Sequence, residues 1–179
     1  MERAVAVIER RVNGLGVAEA VIQRQGARRI VVELPGVRDA ADALGVIGRT
    51  ALLEIEDPFG RTVLTGADLA DARLGRSSLG GWAVDVTFTP EGARKFAQLT
   101  TRYVGQTIPH VLDGEILVNP VVNEPITRGE GQITGAFDME EARELAILLR
   151  AGALPVPLDV VEIRNVGPTL GQESIDRSL

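Results

Sequence analysis

Residues 84–100 read VDVTFTPEGARKFAQLT, and this stretch contains a strand followed at once by a helix start. Val84 and Val86 alternate with polar residues, which is the period-two pattern of a strand with one buried face. Thr89 supplies a capping hydroxyl, and Pro90 is a residue type favoured in the first turn of a helix. A strand that leads directly into a helix, within a chain of similar alternations, predicts a mixed α+β fold.

The sequence after this stretch predicts extended segments, a second helix and a closing strand. Asp138 and Glu141 form a capping pair that opens the helix, and Gly152 ends it. An apolar, β-branched run predicts that Leu158–Ile163 is the last strand. The extended segments cover 107–112, 115–122 and 131–136.

The chain up to residue 56 predicts the order helix, strand, strand, helix, strand. Helical spacing of apolar residues predicts the first helix, and Asp39 is placed to cap the second. Only an opening strand is missing from the βαββαβ order of a ferredoxin-like unit. We therefore expect residues upstream of Met1 to add a strand to the sheet of the intact protein. The predicted elements cover 2–13, 18–24, 28–34, 39–47 and 51–56.

The segment from Asp57 to Gly81 is rich in glycine and serine and predicts a boundary between two parts of the chain. These residue types lower the cost of bending the backbone, which would allow the two parts to move relative to each other. A rigid surface loop is the alternative interpretation. The candidate hinge residues are Asp57, Pro58, Gly60, Gly80, Gly81 and Pro155.

Composition argues against several classes of function. The 179 residues carry a formal net charge of −6, which disfavours nucleic acid or an anionic membrane surface as the partner. The absence of cysteine excludes disulfides, thiol catalysis and zinc-thiolate sites. No apolar run approaches the ~20 residues that cross a bilayer, and we expect no signal peptide.

Signals of catalysis are weak throughout the sequence. His110 is the only histidine, and a structural role is favoured over general-base catalysis with nearby Asp113 because no nucleophile motif accompanies them. Glycine spacing matches neither a phosphate-binding loop nor a nucleophile elbow. The acids Glu140, Glu141 and Glu144 are expected to be solvated surface charge rather than a metal site. We therefore predict no enzyme activity, no cofactor and no metal.

The segment LVNPVVNEPI, residues 117–126, is the strongest candidate for a binding site. Its two prolines prevent regular pairing inside a central sheet and predict an edge strand or an extended loop. An exposed apolar edge can bind an extended client polypeptide through backbone hydrogen bonds, and ordinary core packing is the alternative. The candidate client-binding residues are Leu117, Val118, Val121, Val122 and Ile126.

Several long motifs resemble the SecD subunit of the bacterial Sec preprotein translocase, in that family's order and along nearly the whole chain. They are RRVNGLGVAEAVIQRQGARRIVVELPG (10–36), LDGEILVNPVVNEPI (112–126), GEGQITGAFDMEEARELAILLRAGALP (129–155) and GALPVPLDVVEIRNVGPTLGQESI (152–175). The resemblance implies that the chain is the first large extracytoplasmic domain of such a subunit, without the transmembrane helices that carry protons in the family.

The same resemblance implies an architecture and a set of partners. A base subdomain would comprise 1–56 and 156–179, and a head subdomain, 57–155, would be inserted into it. The family implies the extracytoplasmic side of the bacterial cell membrane, with unfolded preprotein, SecF and the SecYEG channel as partners and the proton gradient as the driving force. A ferredoxin-like scaffold that assembles translocase subunits without binding a client is the alternative, and a small enzyme ranks third.

Overall fold

The structure is a computed structural model that describes residues 1–163, and it combines helices with short antiparallel sheets. The predicted α+β class is confirmed. The helices are α1 (Glu2–Gly14), α2 (Ala40–Gly48), α3 (Pro90–Arg102) and α4 (Met139–Ala151). The strands are β1 (Val21–Gln25), β2 (Arg29–Glu33), β3 (Leu53–Glu56), β4 (Thr62–Thr65), β5 (Leu69–Arg76), β6 (Trp82–Phe88), β7 (His110–Leu112), β8 (Glu115–Val118) and β9 (Glu130–Phe137).

Local capping chemistry starts α2, α3 and α4 where the sequence predicts. Asp39 accepts hydrogen bonds from two backbone N–H groups in the first turn of α2. Thr89 accepts one from the Gly92 N–H at 3.0 Å and so caps α3. Asp138 and Glu141 form a reciprocal capping box at the start of α4. Each cap satisfies N–H groups that the helix itself cannot, and such a cap contributes about 1 kcal/mol to stability.

The strands form three separate antiparallel sheets within the described chain. β1 and β2 pair as a hairpin, and β5, β6 and β9 form a sheet with β6 in the centre. The remaining strands form a four-stranded sheet in the order β4-β3-β7-β8. β3, which we expected to close the N-terminal ferredoxin-like unit, therefore hydrogen-bonds to β4 and β7 rather than to the β1–β2 hairpin.

Two hydrophobic cores divide the described residues. The smaller core lies between α1, α2 and the inner face of the β1–β2 hairpin, and the larger core lies among the other two sheets, α3 and α4. We call residues 1–48 the N-terminal unit and residues 53–151 the central unit. Ala151 and Leu154 are buried in the smaller core, so the chain at the end of α4 returns to the N-terminal unit.

A close helix contact joins the two units. A Cβ added to Gly14 of α1 would lie 2.9 Å from Cγ2 of Ile147 in α4, so a larger residue fits only if that side chain moves. The glycine lets the two helices approach each other at this point. Since α1 belongs to the N-terminal unit and α4 to the central unit, the contact packs one unit against the other.

The prediction that 57–81 is a glycine-rich loop is wrong. The segment contains β4, a short 3-10 turn and β5, and its strands pair with β3 and β6. Gly60, Gly80 and Gly81 lie in the turns that join these strands. Each of these strands forms a hairpin with the strand next to it in the chain, and this pairing overrides local composition because a neighbouring backbone stabilises an extended segment whose own preference is weak.

The predicted closing strand at 158–163 is also wrong. In the described part of the chain this segment pairs with no strand, and the side chains of Val160, Val161 and Ile163 are 57%, 76% and 55% exposed. A β-branched composition favours extended backbone, but a strand also needs a neighbour with free backbone groups. The rest of the predicted base segment, 164–179, lies outside the described residues.

Candidate functional site

The candidate binding edge lies at one side of the four-stranded sheet. β8 is the outermost strand, and no other strand within residues 1–163 pairs with its outer side. After β8 the chain remains hydrogen-bonded to the segment before β7. Val122 N–H donates to the Gln106 carbonyl at 2.9 Å, and Ile108 N–H donates to the Pro120 carbonyl at 3.0 Å. The proline-containing segment is therefore a hydrogen-bonded extension of the edge.

The five predicted edge residues differ in burial. Val122 is part of the larger core and only 4% exposed, whereas Val121 is 52% exposed. Leu117, Val118 and Ile126 are partly buried and pack against the same core. Of the five, Val121 alone presents a largely exposed side chain, and a client-binding role for the set stays a prediction.

Sequence reasoning misses Ile116, which is 66% exposed on β8. Neighbouring side chains on a strand point to opposite faces, and Leu117 packs against the core. Alternation along the strand separates Ile116 from Leu117, but only the structure shows which of the two faces the core. Ile116 and Val121 are the largely exposed apolar side chains that the structure places at this edge.

A cavity of about 270 Å³ lies beneath the extension of the edge. Its walls are mostly apolar and come from the two larger sheets and from α3, with Ile55, Val86 and Phe96 among them. Val121 and Val122 also line the cavity. Val121 is therefore both largely exposed at the extension of the edge and part of the cavity wall.

His110 lines this cavity from β7 and is only 6% exposed. Neither of its ring nitrogens has a hydrogen-bond partner within residues 1–163. Burial lowers the pKa of the imidazole from its ordinary 6.5 to about 4, so the ring is neutral at neutral pH. A neutral, unpaired ring in an apolar wall supports the structural role that the sequence favours.

Asp113 is hydrogen-bonded to the chain before β3 and not to His110. Its carboxylate accepts bonds from the backbone N–H of Leu52 at 2.8 Å, the backbone N–H of Ala51 at 3.2 Å and Nε of Arg49 at 3.2 Å. All these donors lie between α2 and β3, so Asp113 positions that segment. Among residues 1–163, no group of three or more His, Cys, Asp or Glu side chains is arranged to hold a metal ion.

The first candidate hinge residues form the turn between β3 and β4. Asp57 is 3% exposed, and its carboxylate accepts hydrogen bonds from Phe59 N–H at 2.9 Å and from the N–H and Nε of Arg61 at 3.0 and 2.8 Å. Burial opposes ionisation, but these hydrogen bonds outweigh it, and the pKa of Asp57 lies below its ordinary value. Pro58 and Gly60 lie inside this hydrogen-bonded turn.

The other candidate hinge residues lie in a second turn and after α4. Gly80 and Gly81 have φ of +94° and +86°, and Ser77 N–H donates to the Gly81 carbonyl at 3.2 Å. Pro155 follows the end of α4 by a few residues. Both hairpin turns lie inside the central unit rather than between the units, and the hinge role of these residues stays a prediction.

Comparison with known protein families relates this architecture to a translocase. Residues 48–156 match the family model described as SecDF, P1 head subdomain, and residues 1–59 match the one described as protein translocase subunit SecDF, P1 domain, N-terminal. The chain belongs to the SecD/SecDF protein translocase family. The resemblance seen in the sequence motifs is confirmed. The predicted boundary between residues 56 and 57 lies where the two matches overlap, over 48–59, and it stays a prediction.

Relatives and solved structures agree with this assignment. SecD of Acidaminococcus fermentans is 53% identical over the whole of this chain, which covers 43% of that relative. A solved SecDF structure, described as a membrane component that enhances protein export, matches with a TM-score of 0.81 at 41% identity and 92% coverage of both chains. SecDF in a super-membrane-facing form matches with a TM-score of 0.84 at 43% identity, covering 98% of this chain and 29% of that one.

This SecD-family chain spans less than half the length of the SecD relative that it matches. Within residues 1–163, no helix has the length and apolar character needed to cross a membrane.

Proposed function

We propose that this chain is the extracytoplasmic domain of a SecD-type subunit and assists proton-driven preprotein export by binding unfolded preprotein as it emerges. The observation that carries the proposal is the free outer side of β8, with the exposed side chains of Ile116 and Val121 on and beside it. Membership of the SecD/SecDF family supplies the setting, since a related SecDF is described as enhancing protein export.

An edge strand suits a partner that has no fixed sequence. Its unpaired backbone N–H and C=O groups can pair with any extended polypeptide, and apolar side chains add affinity without much selection. Aromatic residues, which anchor tight interfaces, make up only 3% of the chain. We therefore expect weak binding, with release fast enough for a polypeptide that keeps moving.

The partners that follow from this role are unfolded preprotein, SecF and the SecYEG channel. The extracytoplasmic side of the bacterial cell membrane is where an emerging preprotein would meet the edge. Proton transfer would take place outside this chain, because the family resemblance assigns it to transmembrane helices. The formal charge of −6 opposes nucleic acid as a further partner.

Assembly with translocase subunits, without client binding, is the second candidate function, and two exposed surfaces favour it. The β1–β2 hairpin has no third strand within residues 1–163, so both of its edges offer free backbone groups. Val160 and Val161, after α4, are also exposed. A partner subunit that supplied a strand or an apolar face would cover surfaces of this kind.

Fluorescence anisotropy of a labelled secretory preprotein, titrated with the chain, tests client binding to the unfolded and the folded preprotein. The test variant combines Ile116→Asp with Val121→Asp, because both side chains are exposed and a charge there opposes apolar contact. Val122 is left unchanged because it is buried, and a charge in its place would unfold the protein. The matched control is Leu79→Asp, at a residue 95% exposed in the β5–β6 turn.

We expect binding to the unfolded preprotein alone, weakened about tenfold or more in the double variant and unchanged in the Leu79→Asp control. Equal binding by the parent and both variants would show that this edge is not the client site. No binding by the parent would favour the assembly role.

A further inference from the structure

One stretch of chain leads from the N-terminal unit into the central unit, and a second returns from the central unit to the smaller core. The first crossing, residues 49–52, leads from α2 into β3, and the second crossing, residues 152–154, follows α4. Neither stretch is helix or strand. The crossings are joined to each other, because Leu154 N–H donates a hydrogen bond to the Thr50 carbonyl at 2.9 Å.

The guanidinium of Arg11 holds both crossings from the side of the N-terminal unit. Arg11 lies on α1 and is 0% exposed. Its two Nη atoms donate hydrogen bonds to carbonyls at the end of α2 and in both crossings. The acceptors are the carbonyls of Val46 (3.1 Å), Ile47 (2.9 Å), Arg49, Thr50 (3.3 Å) and Gly152 (3.0 Å).

Asp113 holds the first crossing from the side of the central unit. It lies in the β7–β8 turn with a φ of +53°, a conformation that few residues other than glycine adopt. Its carboxylate accepts bonds from Ala51 and Leu52 N–H, and its own N–H donates to the Leu52 carbonyl at 2.9 Å. In the first crossing, the carbonyl groups thus accept hydrogen bonds from the Arg11 cation of the N-terminal unit. The N–H groups donate hydrogen bonds to the Asp113 anion of the central unit.

The chemistry of Arg11 makes a partial release of the crossings unfavourable. Burial lowers the pKa of the guanidinium to about 10, so the group stays charged at neutral pH. A buried charge needs acceptors, and the carbonyls at the C-terminus of a helix suit a cation. The planar fork of arginine reaches several acceptors at once, which the single ammonium of lysine does not match. If the two crossings moved apart, the buried guanidinium would lose carbonyl acceptors that both crossings supply.

We propose that Arg11 and Asp113 form a latch that sets the orientation of the central unit relative to the N-terminal unit. The latch fastens two otherwise irregular connections to a helix of one unit and to a sheet of the other. Opening it leaves each core folded and leaves the α1–α4 contact at Gly14 and Ile147 as the remaining restraint on the angle between the cores. The point of movement is then the pair of crossings, and not the hairpin turns at Gly60 and Gly81. This inference does not depend on where a client binds.

Pulsed electron paramagnetic resonance on the 179-residue chain tests the latch by measuring a distance between the units. The chain has no cysteine, so Gln25→Cys at the end of β1 and Ser78→Cys in the β5–β6 turn, both exposed, carry the two spin labels. The test variants are Arg11→Met, which keeps an apolar stem, and Arg11→Lys, which keeps the charge. Arg3→Met, at an exposed position of the same helix, is the matched control.

We expect one narrow distance distribution in the parent and in Arg3→Met, and a distribution about twice as broad or more in both Arg11 variants. Methyl NMR signals of Val12 and Val84, one from each core, report whether the cores stay folded. An unchanged distribution in a folded Arg11 variant would overturn the proposal. Loss of the N-terminal core alone would also overturn it, because Arg11 would then serve only that core.

Hydrogen exchange in the unaltered chain gives a second test, and it can overturn the proposal even if the Arg11 variants do not fold. The amides of Ala51, Leu52 and Leu154 donate the bonds that hold the crossings. We expect them to exchange at least about tenfold more slowly than the exposed amide of Ser78. Exchange as fast as at Ser78 would show that the crossings are not held, and the latch would have to be abandoned.

Discussion

Acid is expected to destabilise the central unit through one residue, His110. The imidazole is 6% exposed and has no hydrogen-bond partner within residues 1–163, so protonation would place a charge in an apolar wall. Burial sets its pKa at about 4 in the folded protein, against an ordinary 6.5 for an unfolded chain. The folded state therefore binds fewer protons than the unfolded chain between these two pKa values. The part of the unfolding free energy that depends on a neutral His110 is fully present above pH 6.5 and declines as the pH falls toward 4.

The size of the effect follows from these two pKa values. At about 1.4 kcal/mol for each pH unit between 6.5 and about 4, the full loss is about 3 kcal/mol, reached below pH 4. At about pH 5 the loss is about 2 kcal/mol, because the unfolded imidazole is protonated there and the folded one is not. The pKa of Asp57 is lowered in the folded protein, so its contribution to stability is lost only as the pH falls below the ordinary pKa of 3.8.

Urea unfolding at about pH 7.5 and about pH 5, followed by the fluorescence of the single tryptophan, Trp82, measures this loss. The comparison variant is His110→Leu, which fills a similar volume and cannot be protonated. We expect the parent to lose about 2 kcal/mol more than the variant between the two pH values. Since the chain has one histidine, its NMR signal also gives the pKa directly.

Equal pH dependence in the parent and in His110→Leu would refute this reasoning. An NMR titration of His110 near the ordinary 6.5 would refute it as well. Either result would mean that water or a polar group reaches the imidazole in solution.

Two further substitutions test packing and capping, both by urea unfolding. Gly92→Ala should destabilise the protein by about 1–3 kcal/mol, because the added Cβ would lie 2.3 Å from the carbonyl oxygen of Asp68. Its control is Gly45→Ala, where the added Cβ would meet nothing within 4 Å apart from its chain neighbours and the backbone of its own helix, and helix propensity should make this change neutral or stabilising. Asp138→Ala should destabilise by about 1 kcal/mol through loss of the α4 cap, and Asp138→Asn should retain most of that stability. Parent-like stability of Gly92→Ala or of Asp138→Ala would contradict the corresponding argument.

Helix starts are predictable from this sequence because their chemistry is local. The Thr89 cap and the Asp138 capping box each involve residues within a few positions of one another. No distant part of the chain is needed to satisfy these N–H groups. The strand at 84–88 is predictable for a related reason, since its alternating pattern already marks the face that meets the core.

Sheet membership is not predictable in the same way. β3 has a clear strand pattern, but its pairing with β4 and β7 depends on chain that lies up to 59 residues away, at Leu112 opposite Leu53. Residues 158–163 have a similar composition and form no strand in the described part of the chain. A strand is completed by backbone groups of a neighbour, and the identity of that neighbour is a property of the whole fold.

The candidate binding edge combines, within one segment, a feature that the sequence predicts and features that it does not. Its prolines predict a position outside a central sheet, and β8 is the outer strand. The sequence does not distinguish Val121 from Val122, which are 52% and 4% exposed. Ile116 escapes notice because its exposure depends on which face of β8 meets the core.

The sequence by itself determines the family, the α+β class, the helix starts and the absence of thiol chemistry, because each rests on residue identity or on contacts between near neighbours. The tertiary structure alone decides which strands share a sheet, which valine of the edge is exposed, and what Arg11 does. Arg11 appears in the sequence as one more charge on a helix, yet its guanidinium binds the carbonyl of Gly152, 141 residues away. Hydrogen bonds of that range exist only after the two units have folded against each other, so no local pattern can reveal them.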